Sequence, residues 1–185
     1  DIRPSRGLGD VYKRQTYHRG PAFFWSVSIK GRTMGKHIPP FDNHNEAIID
    51  VNDDATPLCY FNHVRLAQGE TFDYMLDDYE TVVVLAGGTC SVTVTEQNGQ
   101  THAFDNIGQR ESVWTGNPES VYVPVGMTAK LECVSDHADI MIAGGRFEET
   151  LSPFCVRQND VDIVQYGSDD TKTHRKICLL YTSPS

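Results

Sequence analysis

Period-two alternation of apolar and polar residues, interrupted at short intervals by Gly, Pro and Asn, is the feature that most narrows what this chain can fold into. It recurs over Tyr60–Leu66, Thr81–Leu85, Ser91–Thr95, Val121–Val123, Ala129–Val134 and Asp139–Ile142. Side chains on a strand point alternately to its two faces, so each segment offers one apolar face to a core and one face to its surroundings. Many short strands with turn residues between them, and scarcely any 3.6-residue period, predict an all-β sandwich or jelly roll. "SVTVTEQNGQTHAF" carries the sharpest local signal. Asn98-Gly99 tolerates the two positive φ angles of a type I′ turn, which would pair Ser91–Glu96 with Gln100–Phe104. Helix is expected only over Glu148–Leu151 and Asn159–Val161, with Asn159 as N-cap.

Both ends stand outside this pattern. Residues 1–15 ("DIRPSRGLGDVYKRQ") and 178–185 ("CLLYTSPS") resemble translated sequencing-adapter residues and are set aside from the fold as artefacts. Residues 16–33 read as upstream read-through before a natural start at Met34. Their apolar stretch, Pro21–Ile29, is short and is followed at once by Lys30, which does not make a secretory signal. The remaining body, 34–177, is expected to be one domain with one core. It sets 9 Lys and Arg against 23 Asp and Glu, a net charge of −14. So acidic a surface disfavours nucleic acid and anionic membranes as partners and suits a cytoplasmic protein. No apolar run approaches the roughly 20 residues of a membrane helix. Of the cysteines in the body, Cys59, Cys90, Cys133 and Cys155, none forms a C-x-x-C pair. Cys90 and Cys133 lie in apolar strand patterns and are expected to be buried thiols.

Several pieces in a fixed order carry a resemblance. They are Asn106-Ile107-Gly108, Val113-Trp114-Thr115-Gly116, Val121-Tyr122-Val123-Pro124, and Gln165-Tyr166-Gly167-Ser168 leading into Thr173-His174-Arg175-Lys176-Ile177. With the stretch upstream from Ile48 to Val94, they make the chain resemble the first half of bacterial 5-deoxy-glucuronate isomerases of myo-inositol breakdown, which are two-cupin proteins. The resemblance covers roughly Ile48 to Ile177 and rests on length and order rather than on any one motif. It implies a cupin, an RmlC-like jelly-roll barrel or double-stranded β-helix. It also implies an aldose–ketose isomerase that converts 5-deoxy-D-glucuronate to 2-deoxy-5-keto-D-gluconate, whose metal site lies in a second cupin beyond this chain.

A cupin metal site needs imidazoles and a carboxylate that converge from neighbouring strands. The first cupin motif runs G-x5-H-x-H-x(3,4)-E-x6-G. From Gly69, it places Met75 and Asp77 at the two histidine positions, with Glu80 one residue early. The second motif, P-x-G-x2-H-x3-N, keeps Pro124 and Gly126 but has Ala129 for histidine and Cys133 for asparagine. A thioether and a methyl group do not replace imidazoles, so no metal or other cofactor is expected in this chain. A divalent metal, zinc or manganese, is expected in the second cupin. Asp50, Asn52 and Asp54 mimic the start of a calcium loop, but Ala55 and Phe61 occupy its glycine and glutamate positions. No nucleotide-binding or serine-hydrolase motif occurs.

Three basic residues remain for a carboxylate-bearing substrate of the kind the resemblance implies: Arg146, His174 and Arg175. Arg146 reads first as a partner for surface carboxylates and second as a substrate ligand. For Arg175, at the passage to a second cupin, the two readings are balanced. The expected partners are that second cupin on the same polypeptide and a small sugar acid, with homo-oligomerisation left open. The chain alone is expected to be inactive. The competing reading, from another class, is a metal-free cupin that binds or senses a sugar acid.

Overall fold

The computed structural model describes residues 28–29, 32–33 and 37–180. Two compact units are distinguished, 1–36 and 37–185. In the first, β1 (Ser28–Ile29) pairs antiparallel with β2 (Arg32–Thr33). Residues 1–15, 181–185 and Met34 lie outside the described residues, as does most of 16–33.

The second unit is all-β, and no helix occurs among the described residues. Its strands are β3 (Cys59–Ala67), β4 (Thr71–Met75), β5 (Tyr79–Thr95), β6 (Thr101–Ile107), β7 (Ser120–Val123), β8 (Thr128–Arg146), β9 (Phe154–Val156), β10 (Asp162–Tyr166) and β11 (Arg175–Leu179). β5 and β8 form the spine. They pair antiparallel from Tyr79↔Arg146 to Thr95↔Thr128. The first half of β5 carries β7 and then β9 on its free edge, and the facing half of β8 carries β3. The second half of β5 carries β6, and the first half of β8 carries β4. Two sheets thus share two bent strands and close over one core, the jelly roll that the alternation implies. No described helix is long and apolar enough to cross a membrane.

The core follows the alternation. Tyr60, Val64 and Leu66 of β3, Val83, Leu85, Cys90, Val92 and Val94 of β5, and Ala129, Leu131, Ile140 and Ile142 of β8 all point inward and are buried. Each Val, Leu or Ile among them contributes about 1.5–3 kcal/mol relative to exposure, which offsets the entropy of ordering the strands. Cys90 and Cys133 face each other across the β5–β8 ladder in this core, as expected. Burial pushes the Cys90 thiol up to about 12, and the neighbouring Cys133 adds to the shift.

The structure departs from the sequence reading at four places. Thr81–Leu85 and Ser91–Thr95 are one strand, and so are Ala129–Val134 and Asp139–Ile142. Gly87-Gly88 does not end β5 but bends it, through register shifts at Leu85/Gly87 and Gly88/Cys90. Gly88 has φ +80, and a Cβ there would lie 2.1 Å from the carbonyl oxygen of His137. The bend is stitched by Thr89, whose N–H donates to Ser135 Oγ at 2.8 Å, while that hydroxyl donates to the His137 carbonyl at 2.6 Å.

The β5–β6 hairpin is the second departure. Gly99 has φ +86, but Asn98 is not in the positive-φ region. The Gly99 N–H donates to the Glu96 carbonyl at 2.9 Å, and the Glu96 N–H donates to the Gln100 carbonyl at 2.8 Å. This is a three-residue loop with a turn ending in a left-handed glycine, not the two-residue type I′ connection. Third, Glu148–Leu151 is irregular, and Asn159 lies in an isolated turn closed by Asp160 N–H to the Arg157 carbonyl, at 2.9 Å. Neither segment has the length or apolar stripe that sustains a helix. Finally, β11 runs through Cys178 and Leu179, which pair with Ile163 and Asp162, so the boundary drawn after Ile177 falls inside a strand.

Two measurements test this packing. Gly88→Ala meets both a carbonyl and a left-handed backbone and is expected to cost about 3 kcal/mol or more in denaturant unfolding. Gly69→Ala, also at positive φ but facing open space, should cost only about 1–2 kcal/mol; equal losses would count against the close approach at the bend. For Cys90, a folded pKa above the unfolded one means that the stabilisation is complete below about pH 9. It is lost as pH rises from there toward 12. The unfolding midpoint should therefore fall above pH 9, and Cys90→Val should flatten the fall.

Candidate functional site

The cupin ligand positions lie on β8 and at or just past the end of β4. β4 alternates so that Phe72, Tyr74 and then Leu76 pack against the core. Met75 is 49% exposed and Asp77 is exposed, so both point away from the interior. Of the three positions read from the motif, only Ala129 faces inward, its methyl buried where β8 pairs with Tyr74 and Val94. The motif frame is thus one residue out of phase with the pleat, and a one-residue slip moves a side chain to the opposite face. The Tyr74 hydroxyl hydrogen-bonds Thr81 Oγ1 at 2.7 Å. Glu80, on the other face of β5, accepts from the Tyr122 hydroxyl at 2.6 Å. Burial first, and then Glu80, pushes the Tyr122 pKa up.

No described histidine is buried. His102, on β6, is tied to Glu96 at 2.7 Å beside the hairpin turn. Among the described residues no three His, Cys, Asp or Glu side chains converge on a point that would hold a metal. The residues present at the cupin positions do not fit a metal ion. The acidic stretch around Asp53 forms turns before β3, with the Asp53 carboxylate accepting from the N–H groups of Ala55 and Thr56.

The three basic candidates are not brought together as one site. Arg146 ends β8 and is engaged within the fold: Nη2 donates to Asn52 Oδ1 at 2.5 Å, Asp78 lies 3.9 Å away, and the guanidinium sits 5.5 Å from the centre of the Tyr79 ring. His174 and Arg175 belong to the β10–β11 hairpin, a separate two-stranded sheet. His174 is held by Asp169 at 3.2 Å and Gln165 at 2.8 Å. Arg175 is exposed opposite Tyr166, with no ion pair among the described residues. Lys176 ties the hairpin to Asn117, at 2.7 Å.

Two polar arrangements have no counterpart in the sequence reading. The first is Glu119, a carboxylate only 1% exposed. It accepts from the N–H groups of Gly108 at 2.9 Å and Gln158 at 3.2 Å, and from Arg157 Nη1 at 3.2 Å. Arg157 also donates to the carbonyls of Asn106 and Asp105, each at 2.9 Å. An acidic residue directly before the apolar run Ser120–Val123 is the one available hint, because a carboxylate so placed is buried only if paired. The second is an open pocket of about 480 Å³ at the bend of β5 and β8, lined by Arg65, Ala86, Glu111, Trp114, His137 and Asp139 among others. Its residues are scattered over four segments, and no spacing rule links them.

Comparison with known proteins agrees with this architecture. A family model described as the KduI/IolB family matches residues 36–184. No curated protein matches the chain significantly. Among solved structures, an IolB-like protein from Salmonella typhimurium LT2 is 23% identical, with a TM-score of 0.58 over 65% of this chain and 43% of that one. The chain therefore spans less than half the length of that relative, and at this identity the likeness speaks for the fold, a cupin jelly roll. A mutant of Bacillus subtilis oxalate decarboxylase also matches, 17% identical over 50% of this chain and 22% of that one, at a TM-score of 0.39. Matched by one family model from residue 36 to residue 184, most of its length, the chain belongs to the KduI/IolB family.

Proposed function

We propose that this chain acts as the first cupin of a sugar-acid isomerase of inositol and uronate breakdown, converting 5-deoxy-D-glucuronate to 2-deoxy-5-keto-D-gluconate in the cytoplasm. In this reading the barrel with its β10–β11 hairpin forms a structural, metal-free half. The observation that carries it is the barrel interior: where a cupin would gather imidazoles, this one presents Tyr74, Leu76, Thr81 and Ala129. Aldose–ketose isomerisation moves a proton between adjacent carbons and calls for a base near neutral pKa beside a polarised carbonyl. A divalent metal, zinc or manganese, held in a second cupin of the same polypeptide would supply that polarisation.

The β10–β11 hairpin supports the same division of labour. Val164, Tyr166, Ile177 and Leu179 share one of its faces, between Asp162 at one end and Arg175 at the other, and Tyr166 and Ile177 are 58% and 42% exposed. A lone two-stranded hairpin is marginal in water, so an apolar face of this kind gains stability from a packing partner. In this reading the second cupin covers the face, and Arg175 reaches the substrate carboxylate beside it. His174, held by Asp169 and Gln165, fixes the turn instead of contacting substrate. The alternative, a metal-free module that binds a sugar acid, draws support from the pocket at the β5–β8 bend.

Two experiments test the main reading. The chain by itself, dialysed and assayed with 5-deoxy-glucuronate, should carry no stoichiometric zinc or manganese by elemental analysis and show no turnover. About one metal per chain, or turnover above the buffer blank, would overturn the metal-free assignment. In the two-cupin enzyme, Arg175→Ala should raise KM by an amount equivalent to about 1.5–3 kcal/mol, as expected for losing a charge-assisted hydrogen bond. An unchanged KM would remove Arg175 from the substrate and leave the scaffold role standing.

A further inference from the structure

The pocket at the β5–β8 bend is built on the outer side of the barrel wall. Arg65 and Asp139 face each other across the β3–β8 ladder, with His63 next to them on β3. Arg65 Nη2 lies 3.1 Å from His63 Nδ1, and His63 Nε2 meets Asp139 Oδ1. A guanidinium only donates, so Nδ1 is the acceptor and the ring proton sits on Nε2, where it donates to Asp139. One histidine therefore fixes both pocket residues and is itself fully occupied, which makes it a positioning residue and not a base. The second contact of Arg65 is an exposed ion pair to Asp42 at 3.6 Å, of the weak kind that an incoming carboxylate displaces.

The opposite wall is the loop Glu111–Trp114, pressed so close to β5 that a Cβ on Gly87 would lie 2.7 Å from the Glu111 carbonyl oxygen. This loop presents the Trp114 ring, 91% exposed, next to Val113. Ala86 and Ala138, nearly buried in the two strands, close the floor beneath it. The side chains of Glu111 and His137 have no hydrogen-bond or ion-pair partner among the described residues, which leaves an acceptor and a second polar group for ligand hydroxyls. The pocket size lies within the roughly 300–1,000 Å³ typical of small-molecule sites.

A guanidinium held in place, an exposed indole and unpaired polar groups around an apolar wall match one ligand chemistry. That is a ring with a C–H face, several hydroxyls and a carboxylate. We propose that this pocket binds a monosaccharide-sized sugar acid, its carboxylate on Arg65 and its C–H face against Trp114. The site shares no residue with Met75, Asp77 or Ala129 and needs no metal. It rests on the binding-module alternative for its ligand class and deepens it by naming the residues, and it does not depend on the isomerase reading.

The test uses the full chain. Trp25 and Trp114 are its two tryptophans, so Trp25→Phe leaves Trp114 as the single emitter. Titration with D-glucuronate should change its fluorescence saturably, while D-glucose should bind at least roughly tenfold more weakly and acetate should give no saturable change. Arg65→Met should weaken glucuronate by roughly tenfold or more, toward the glucose value. By calorimetry, Trp114→Ala, which removes an exposed ring and leaves the fold intact, should abolish glucuronate binding. Absence of a saturable response up to roughly 10 mM glucuronate would overturn the proposal. Equal binding of glucose, or an Arg65→Met variant that binds like the parent, would do the same. The readout involves no turnover, so failure of the isomerase reading leaves it untouched, and the converse also holds.

Discussion

Everything in this barrel hangs on the antiparallel ladder between β5 and β8. Each strand is long enough to run through both sheets, so the same two backbones set the register of β3, β4, β6 and β7. The bend in the ladder turns one extended pair into two sheets facing each other, and it places Val83 and Leu85 against Val92 and Leu131 in one core. A straight ladder with the same alternation would leave those faces in water, and the burial that stabilises the fold would be lost. The small side of the bend, Gly87-Gly88, is also where the loop from Glu111 to Trp114 comes down onto the strand. Closure of the barrel and the shape of the pocket beside it therefore have a common origin.

Glu119 extends that dependence outward. Its backbone carbonyl accepts from Leu85 at the start of the bend, at 3.1 Å, while its carboxylate gathers Gly108, Gln158 and Arg157. A buried carboxylate left without partners is strongly unfavourable, and here two backbone donors and a guanidinium satisfy it. The result ties the end of β6, the start of β7 and the chain after β9 to the bent strand. It also accounts for the Asn106-Ile107-Gly108 segment in physical terms: those residues supply the donors and acceptors of the clamp.

The barrel was legible in the sequence because alternation reports burial directly. Val92, Val94, Leu131 and Ile140 could hardly face anywhere but a core. What alternation does not report is whether a glycine stops a strand or bends it, and Gly87-Gly88 does the second. Nor does it fix the turn: Asn98 can adopt positive φ but has no need to once Gly99 does. The motif frame at Met75 and Asp77 shows a different limit, since counting along a pattern does not decide which face a residue takes, whereas the neighbours Tyr74 and Leu76 do. The cluster of His63, Arg65, Asp139 and Trp114 was invisible because its members are brought together only by β3 pairing with β8 and by the loop across the bend. Arg65, outward between Val64 and Leu66, reads in sequence as an ordinary solvated residue.

The pairing of β3 with β8 also governs how this protein reaches its structure. Cys59 finds its partner in Gly145 and Ala67 in His137, so the strand that begins the barrel waits for one made near its end. Hairpins such as β5–β6 close over a few residues and can form early, but the ladder that seals the core must first pay for ordering a long loop. Until then β3 carries an unpaired edge with Tyr60, Val64 and Leu66 uncovered, a template for pairing with other chains. The slow and hazardous moment in the life of this fold is therefore the docking of β8, and crowded synthesis exposes it to aggregation there before it threatens anything in the finished barrel.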